Sequence, residues 1–259
     1  MIPIKKSHEI KILRECGKKH TTLINTLIDY VHKKDNDQNA GRLTTWDLEK
    51  LARKTCQELN VNPVQIGYHG YKWAICAGTN ENGPHAVPSK SKVVKDGDLL
   101  TIDTTIKCNG YCVDGGVTLP FGKIDTTGLQ LIKTAKEAQQ NAINACITDN
   151  RVSDISEAIY TTARTAGFDV LTSFMAHGIG EKMHEPPNIP NFPFHGANPR
   201  LKTGMVLALD TLIAERSGDT KILDDGWTSV LIDGGRFSFW EHTVVVNEDR
   251  AEVLNPYMI

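Results

Sequence analysis

Apolar residues recur at helical spacing near the start of the chain. Ile10, Leu13, Leu23, Leu27 and Val31 share one face among charged neighbours, which predicts a helix over 7–32 with Ser7 as its cap. Residues 33–43 are polar and predict a loop. Thr44 and Asp47 then have the spacing of a capping box, ahead of Leu48, Leu51, Ala52, Cys56 and Leu59 on one face of a second helix. Strand-like runs follow at 74–77, 99–106 and 111–119, and the Asn109-Gly110 pair between the last two marks a tight hairpin. The order then repeats. An alanine-rich helix is predicted over about 127–147, and a shorter one runs from Ser153, its cap, to Gly167, just past its end. Strands are predicted at 204–213, 229–232 and 239–246. Two helices then strands, twice, with no low-complexity linker, predict one α+β domain over 1–259. It has an internal pseudo-twofold between halves of about 1–122 and 123–259, and helices cover an antiparallel sheet.

Composition narrows this by exclusion. At 259 residues, 40% hydrophobic, 23% charged and a formal charge of -2, the chain reads as a globular protein with a sizeable core. There is no basic excess for nucleic acid or for a membrane surface. The apolar runs at 205–209 and 243–246 are too short to span a bilayer. The start, MIPIKKSHEI, has basic residues but no apolar stretch of the kind a secretion signal needs. The six cysteines are scattered, and Cys108 with Cys112 has no second pair to complete a zinc site. Reduced thiols in a cytoplasmic protein are expected.

The polar residues that interrupt apolar runs carry the chemistry. Asp103 sits in TIDTTI, Asp114 in CVDGG, Asp210 in VLALDTLIAE and Glu241 in FWEHTVVV. A carboxylate is costly to bury unless it is paired or bound to metal, although any single one of these could face solvent instead. The hairpin is expected to place Asp103 and Asp114 roughly opposite each other, where like charges repel unless a cation lies between them. In AHGIGEKMHEPP, His177 and His184 stand seven apart, a separation that puts them on opposite faces of a plain strand. Either they are unrelated, or Gly178 and Gly180 bend the chain until both imidazoles face one site. Four carboxylates and one imidazole form an oxygen-rich set suited to two divalent ions such as Mn, Fe, Co or Zn, and paired metals of this type serve hydrolysis.

Taken together, GYHGY (67–71), KDGDLLTID (95–103), AHGIG with MHEPP, DDGWT (224–228) and WEHTVVV (240–246) resemble the type I methionine aminopeptidases, in order and over nearly the whole chain. The resemblance implies the pita-bread fold, a metal-dependent aminopeptidase acting on N-terminal methionine before a small residue, and the short bacterial form. Type II relatives carry an extra helical subdomain between the positions of His177 and Glu241. The resemblance assigns Asp103, Asp114, His177, Asp210 and Glu241 to a dinuclear site, with Asp114 and Glu241 bridging. It places His85 near the scissile amide and His184 on the substrate carbonyl, with Asp210 at the position of a proton-shuttling carboxylate. Tyr68, Tyr71, Cys76, Met183 and Trp227 would form the methionine pocket, whose soft and aromatic walls suit a thioether.

The chain also departs from that pattern. Asp210-Thr211 stands where the type I pattern has Glu-Pro, Met183 where Phe is common, and Gln65 where Cys is common. Implied partners are N-terminal Met peptides and nascent chains, with transient ribosome contact. No nucleic acid or membrane is implied, and the protein is expected to act as a cytoplasmic monomer. Two other readings stay open: an Xaa-Pro aminopeptidase or prolidase of the same fold, and a non-catalytic binding protein built on it.

Overall fold

The computed structural model describes residues 2–37 and 41–258. The first helix, α1 (Ser7–Asn36), buries Leu13, Cys16, Leu23, Leu27 and Val31 along one stripe. It ends later than residue 32 because polar residues suit its exposed last turn, where Lys33 and Lys34 oppose the helix dipole. Of the loop expected at 33–43, residues 33–36 therefore belong to α1, and 38–40 lie outside the described residues. The cap is Lys6 rather than Ser7, because the Glu9 carboxylate reaches back to accept from the Lys6 N–H at 2.7 Å. In α2 (Thr45–Glu58) the predicted capping box is present. The Thr44 hydroxyl accepts from Asp47 N at 3.2 Å, and the Asp47 carboxylate accepts from Thr44 N at 3.0 Å.

The strands β1 (Asn62–Pro63), β2 (Cys76–Thr79), β3 (Asp98–Cys108) and β4 (Tyr111–Phe121) complete the first half. Asn109 and Gly110 have φ of 49° and 89°, so the β3–β4 hairpin closes on a two-residue left-handed loop, as the Asn-Gly pair predicts. That loop pairs Cys108 with Tyr111 and therefore Asp103 with Gly116. Asp114 pairs with Thr105. The two aspartates are thus diagonal rather than opposite, two residues apart on the same face.

The second half opens with α3 (Thr126–Ala145), capped by Asp125, and α4 (Val152–Thr165). Arg151 is the α4 cap, not Ser153, because Asp154 reaches back to the Arg151 N–H at 2.7 Å. Ser153 exchanges hydrogen bonds with Asn198 instead. Gly167 follows the helix at φ 85°, where it was expected. The remaining strands are β5 (Asp169–Val170), β6 (Met175–Gly178), β7 (Glu185–Pro190), β8 (Val206–Ala208), β9 (Thr211–Ala214), β10 (Thr220–Ile222), β11 (Ser229–Leu231), β12 (Phe237–Val245) and β13 (Glu252–Val253).

One antiparallel sheet of order β1-β3-β4-β12-β8-β6-β7 joins the halves, with β2 on β3, β9 on β12 and β5, and β13 on β12. The expected strand at 204–213 is two strands, interrupted at Leu209 and Asp210. β11 leaves the main sheet to form a ribbon with β10. α1 packs on β4 and α3 on β12 and β9, so one sheet face is covered by helices and the other is left to loops. No helix among the described residues is long and apolar enough to cross a membrane.

The helix-covered face holds a histidine with a pH consequence. His20 is fully buried, and its Nε2–H donates to Thr104 O at 2.7 Å. Burial pulls its pKa from 6.5 down to about 4, so the unfolded chain binds the extra proton first. Its stabilising contribution is therefore present above pH 6.5 and is lost as pH falls toward 4. The loss is about 1.4 kcal/mol per pH unit at most. His20→Gln should show a shallower loss between pH 7 and 4.5 in urea unfolding. An equal slope in both proteins would show that His20 does not supply this dependence.

Candidate metal centre

The loop-covered face gathers the carboxylates in a row. Asp103 on β3 and Glu241 on β12 each pair with Gly116 of β4. The flanking pairs Ala208–Thr243 and Thr211–Trp240 share one register, which puts Asp210 directly across from Glu241. The row across the sheet thus reads Asp103, Gly116, Glu241, Asp210. The middle position is a glycine because the Phe239 ring lies over it, where a Cβ would collide. The directly opposed carboxylates are therefore Asp210 and Glu241, rather than the hairpin pair.

His177 joins from β6, and the chain after it supplies the bend that the glycines suggested. The β6–β7 register shifts between His177 and Gly178, and a side chain on Gly178 would strike the Pro186 carbonyl. The His177 and His184 rings end up 4.4 Å apart, edge to face. His177 Nδ1 lies 2.9 Å from Gly178 O, and a carbonyl can only accept, so Nδ1 carries the proton. Nε2 keeps a free lone pair, the form in which imidazole binds metal. His184 Nδ1 lies 2.7 Å from the Tyr68 hydroxyl.

One ligand atom each from Asp114, His177 and Glu241 falls within 4.8 Å of the others, and all three residues are buried. The carboxylates differ in support. Asp114 Oδ1 accepts from the Thr105 hydroxyl at 2.8 Å and from Gly115 N at 3.0 Å. Glu241 Oε1 and Asp210 Oδ1 are buried with no hydrogen-bond partner among the described residues. Burial first, and then mutual repulsion, pushes Asp103 and Glu241 well above the usual carboxylate range. Asp114 and Asp210 are also raised, chiefly by burial. Four crowded carboxylates, two of them with an orphaned oxygen, beside an imidazole with a free Nε2, are the donor set a divalent cation satisfies. The residues fit the group.

A cleft of about 530 Å³, counted to its open mouth, is lined by all twelve residues singled out from sequence. Tyr71 packs on Trp227 with ring centroids 5.0 Å apart, and Cys76 and Met183 complete that end. The ribbon of β10 and β11 carries Trp227 there. Gln65 lines the same wall and donates to Cys76 Sγ at 3.5 Å. His85, at φ 62°, lies between this cleft and an apolar recess of about 390 Å³ that includes Phe174, Leu212 and Phe239. Sequence reasoning missed Thr105, Gly116 and Phe174. Only the two-residue hairpin loop could have pointed to the first two, since it fixes their register.

The sequence profile described as Metallopeptidase family M24 matches residues 11–248. The chain is 32% identical to Methionine aminopeptidase 1 of Bacillus subtilis, over 98% of this chain and 99% of that one. Identity to the methionine aminopeptidase of Clostridium perfringens is 34%, over 98% of each. The crystal structure of the Thermotoga maritima methionine aminopeptidase superposes with a TM-score of 0.91 at 34% identity, covering 98% of this chain and 99% of that one. A prolidase from Pyrococcus furiosus shares the fold at 18% identity and TM-score 0.74, with 99% of this chain covering 66% of that one.

Proposed function

This chain belongs to metallopeptidase family M24, and on that premise we propose that it removes the N-terminal methionine from peptides and nascent chains whose second residue is small. It is a metal-dependent aminopeptidase of pita-bread α+β fold, with 1–259 acting as one catalytic domain. The carrying observation is the opposed Asp210 and Glu241, each with a buried carboxylate oxygen that has no partner among the described residues, beside a histidine whose Nε2 is free. Asp114 and Glu241 would serve two divalent ions, with Asp103 completing one position and His177 and Asp210 the other. Mn, Fe, Co and Zn all suit these donors. Such ions would supply Lewis acidity, lowering the pKa of water and polarising the scissile carbonyl.

The chain's own residues do the rest. Tyr71, Trp227, Cys76 and Met183 receive the methionine side chain. With the Tyr68 hydroxyl donating to Nδ1, His184 presents Nε2–H to the substrate carbonyl oxygen. His85 stands at the scissile amide side, and Asp210 is placed to carry a proton. The protein is read as a cytoplasmic monomer with transient ribosome contact. Full overlap with methionine aminopeptidase chains supports this reading over a prolidase one, because the prolidase likeness extends only to fold. Cleavage of Met-Gly-Met against Ala-Pro peptides after metal addition tests it. Preference for Ala-Pro would favour the prolidase reading, and failure to bind any divalent metal the non-catalytic one.

Asp210 raises a narrower expectation. Its carboxylate is one methylene shorter than glutamate and opposes Glu241 with one oxygen unpartnered. Metal distances tolerate only about 0.2 Å, so one ion should bind weakly and activity should rise markedly with added metal. Asp210→Glu should lower the metal concentration that gives half-maximal activity. Loss of metal in that variant would mean that the strand has settled around aspartate.

A further inference from the structure

Directly behind the carboxylate row, on the helix-covered side, one side chain spans two strands. Gln139 of α3 is 2% exposed and lies on a stripe otherwise made of residues such as Leu131, Ala135, Ala138 and Ala142. An amide there costs free energy unless both ends are matched. Both are. The Thr211 hydroxyl, fully buried, donates to Gln139 Oε1, and Gln139 Nε2 donates to His242 Nδ1 at 3.4 Å.

Thr211 follows Asp210, and His242 follows Glu241. Side chains alternate across a strand, so with Asp210 and Glu241 facing the cleft their successors face α3. The carboxamide therefore joins the residues immediately behind the two opposed carboxylates. It does so beside the interruption at Leu209 and Asp210 that separates β8 from β9. His242 also stacks on Tyr257, with centroids 4.5 Å apart, and the Tyr257 hydroxyl donates to Glu241 O at 2.9 Å. Glu241 is thus fixed from behind through its own carbonyl and its neighbour. Asp210 has Thr211 and Gln139.

We propose that Gln139 is a positioning residue: by tying Thr211 to His242 it sets the separation of Asp210 and Glu241 across the strands, and with it how tightly that pair holds a divalent cation. This rests on the metal-dependent reading above. A residue that only fills the core would affect folding stability and leave cation affinity alone.

The test uses the full chain, stripped of metal and titrated calorimetrically with Mn²⁺, with the metal-free melting temperature and kcat and KM on Met-Gly-Met measured alongside. Gln139→Leu strands two buried polar groups and is expected to destabilise. The double variant Gln139→Leu/Thr211→Val replaces both partners of one bond by apolar groups and removes part of that penalty. Thr211→Val alone keeps the bond to His242. The double variant should bind Mn²⁺ about tenfold or more weakly, in the range seen when an outer partner of a metal ligand is removed. Its kcat should fall more than its KM rises, and Thr211→Val should lie between it and wild type. Wild-type Mn²⁺ affinity in the double variant, with only the melting temperature changed, overturns the proposal and assigns Gln139 to packing. A wild-type chain that binds no Mn²⁺ overturns the functional reading itself, and this inference with it.

Discussion

Replacing Glu241 with glutamine should abolish turnover and metal binding together, while making the metal-free protein more stable. Glu241 is 2% exposed, lies across from Asp210, and has one oxygen without a partner. Its pKa is held well above the usual range by burial and then by Asp114 and Asp210, so its ionised form is stabilised only when a cation is present. An amide of the same shape removes one of four mutually repelling groups and, on the proposed assignment, a ligand. Each kcal/mol gained by the metal-free chain corresponds to about 2–4 °C in melting temperature for a protein of this size. The loss of turnover should exceed the roughly 10³-fold cost of deleting an oxyanion donor, because the cation goes with it. Metal analysis and a melting curve of the stripped variant decide the matter. A full metal complement, or a lower metal-free melting temperature, would contradict the assignment. Asp114 should behave differently, because Thr105 and Gly115 N already satisfy its Oδ1, and losing it leaves those donors unpaired.

The second large effect is expected at His184. His184→Ala should lower kcat by about two orders of magnitude, the cost of one lost oxyanion donor, with metal content unchanged. Reduced hydration of the ring, followed by the nearby His177, pulls its pKa down to about 4, although part of the residue is open to solvent. The imidazole is therefore neutral at working pH and donates through one nitrogen only. His177→Ala should instead lose metal, because its Nδ1 is committed to Gly178 O and only Nε2 remains for a cation. If the His184 variant lost metal to the same extent, the division of labour between the two histidines would be wrong.

Much of this protein is decided locally and can be read from residue order. The apolar stripes of α1 and α3, the capping box at Thr44, the Asn109-Gly110 turn and Gly167 all depend on neighbours within a few positions. So did the list of cleft residues, through motifs whose spacing resembles a known family. Even the caps that were misplaced failed locally: Glu9 and Asp154 reach back to Lys6 and Arg151, one residue before Ser7 and two before Ser153.

Strand pairing set the rest. An apolar run at 204–213 cannot show where its ladder is interrupted, because that depends on how β12 lies against β8 and β9. Residue order identified Asp103, Asp114, Asp210 and Glu241 as anomalies. Only the register across four strands made Asp210 and Glu241 the opposed pair and put Gly116 in the gap between Asp103 and Glu241. Gln139 is more remote still. Along α3 it looks like one polar residue on an apolar face, and its partners Thr211 and His242 lie 72 and 103 residues away. Hydrogen bonds over such separations form only once the sheet has fixed which backbones are adjacent, so no local pattern encodes them.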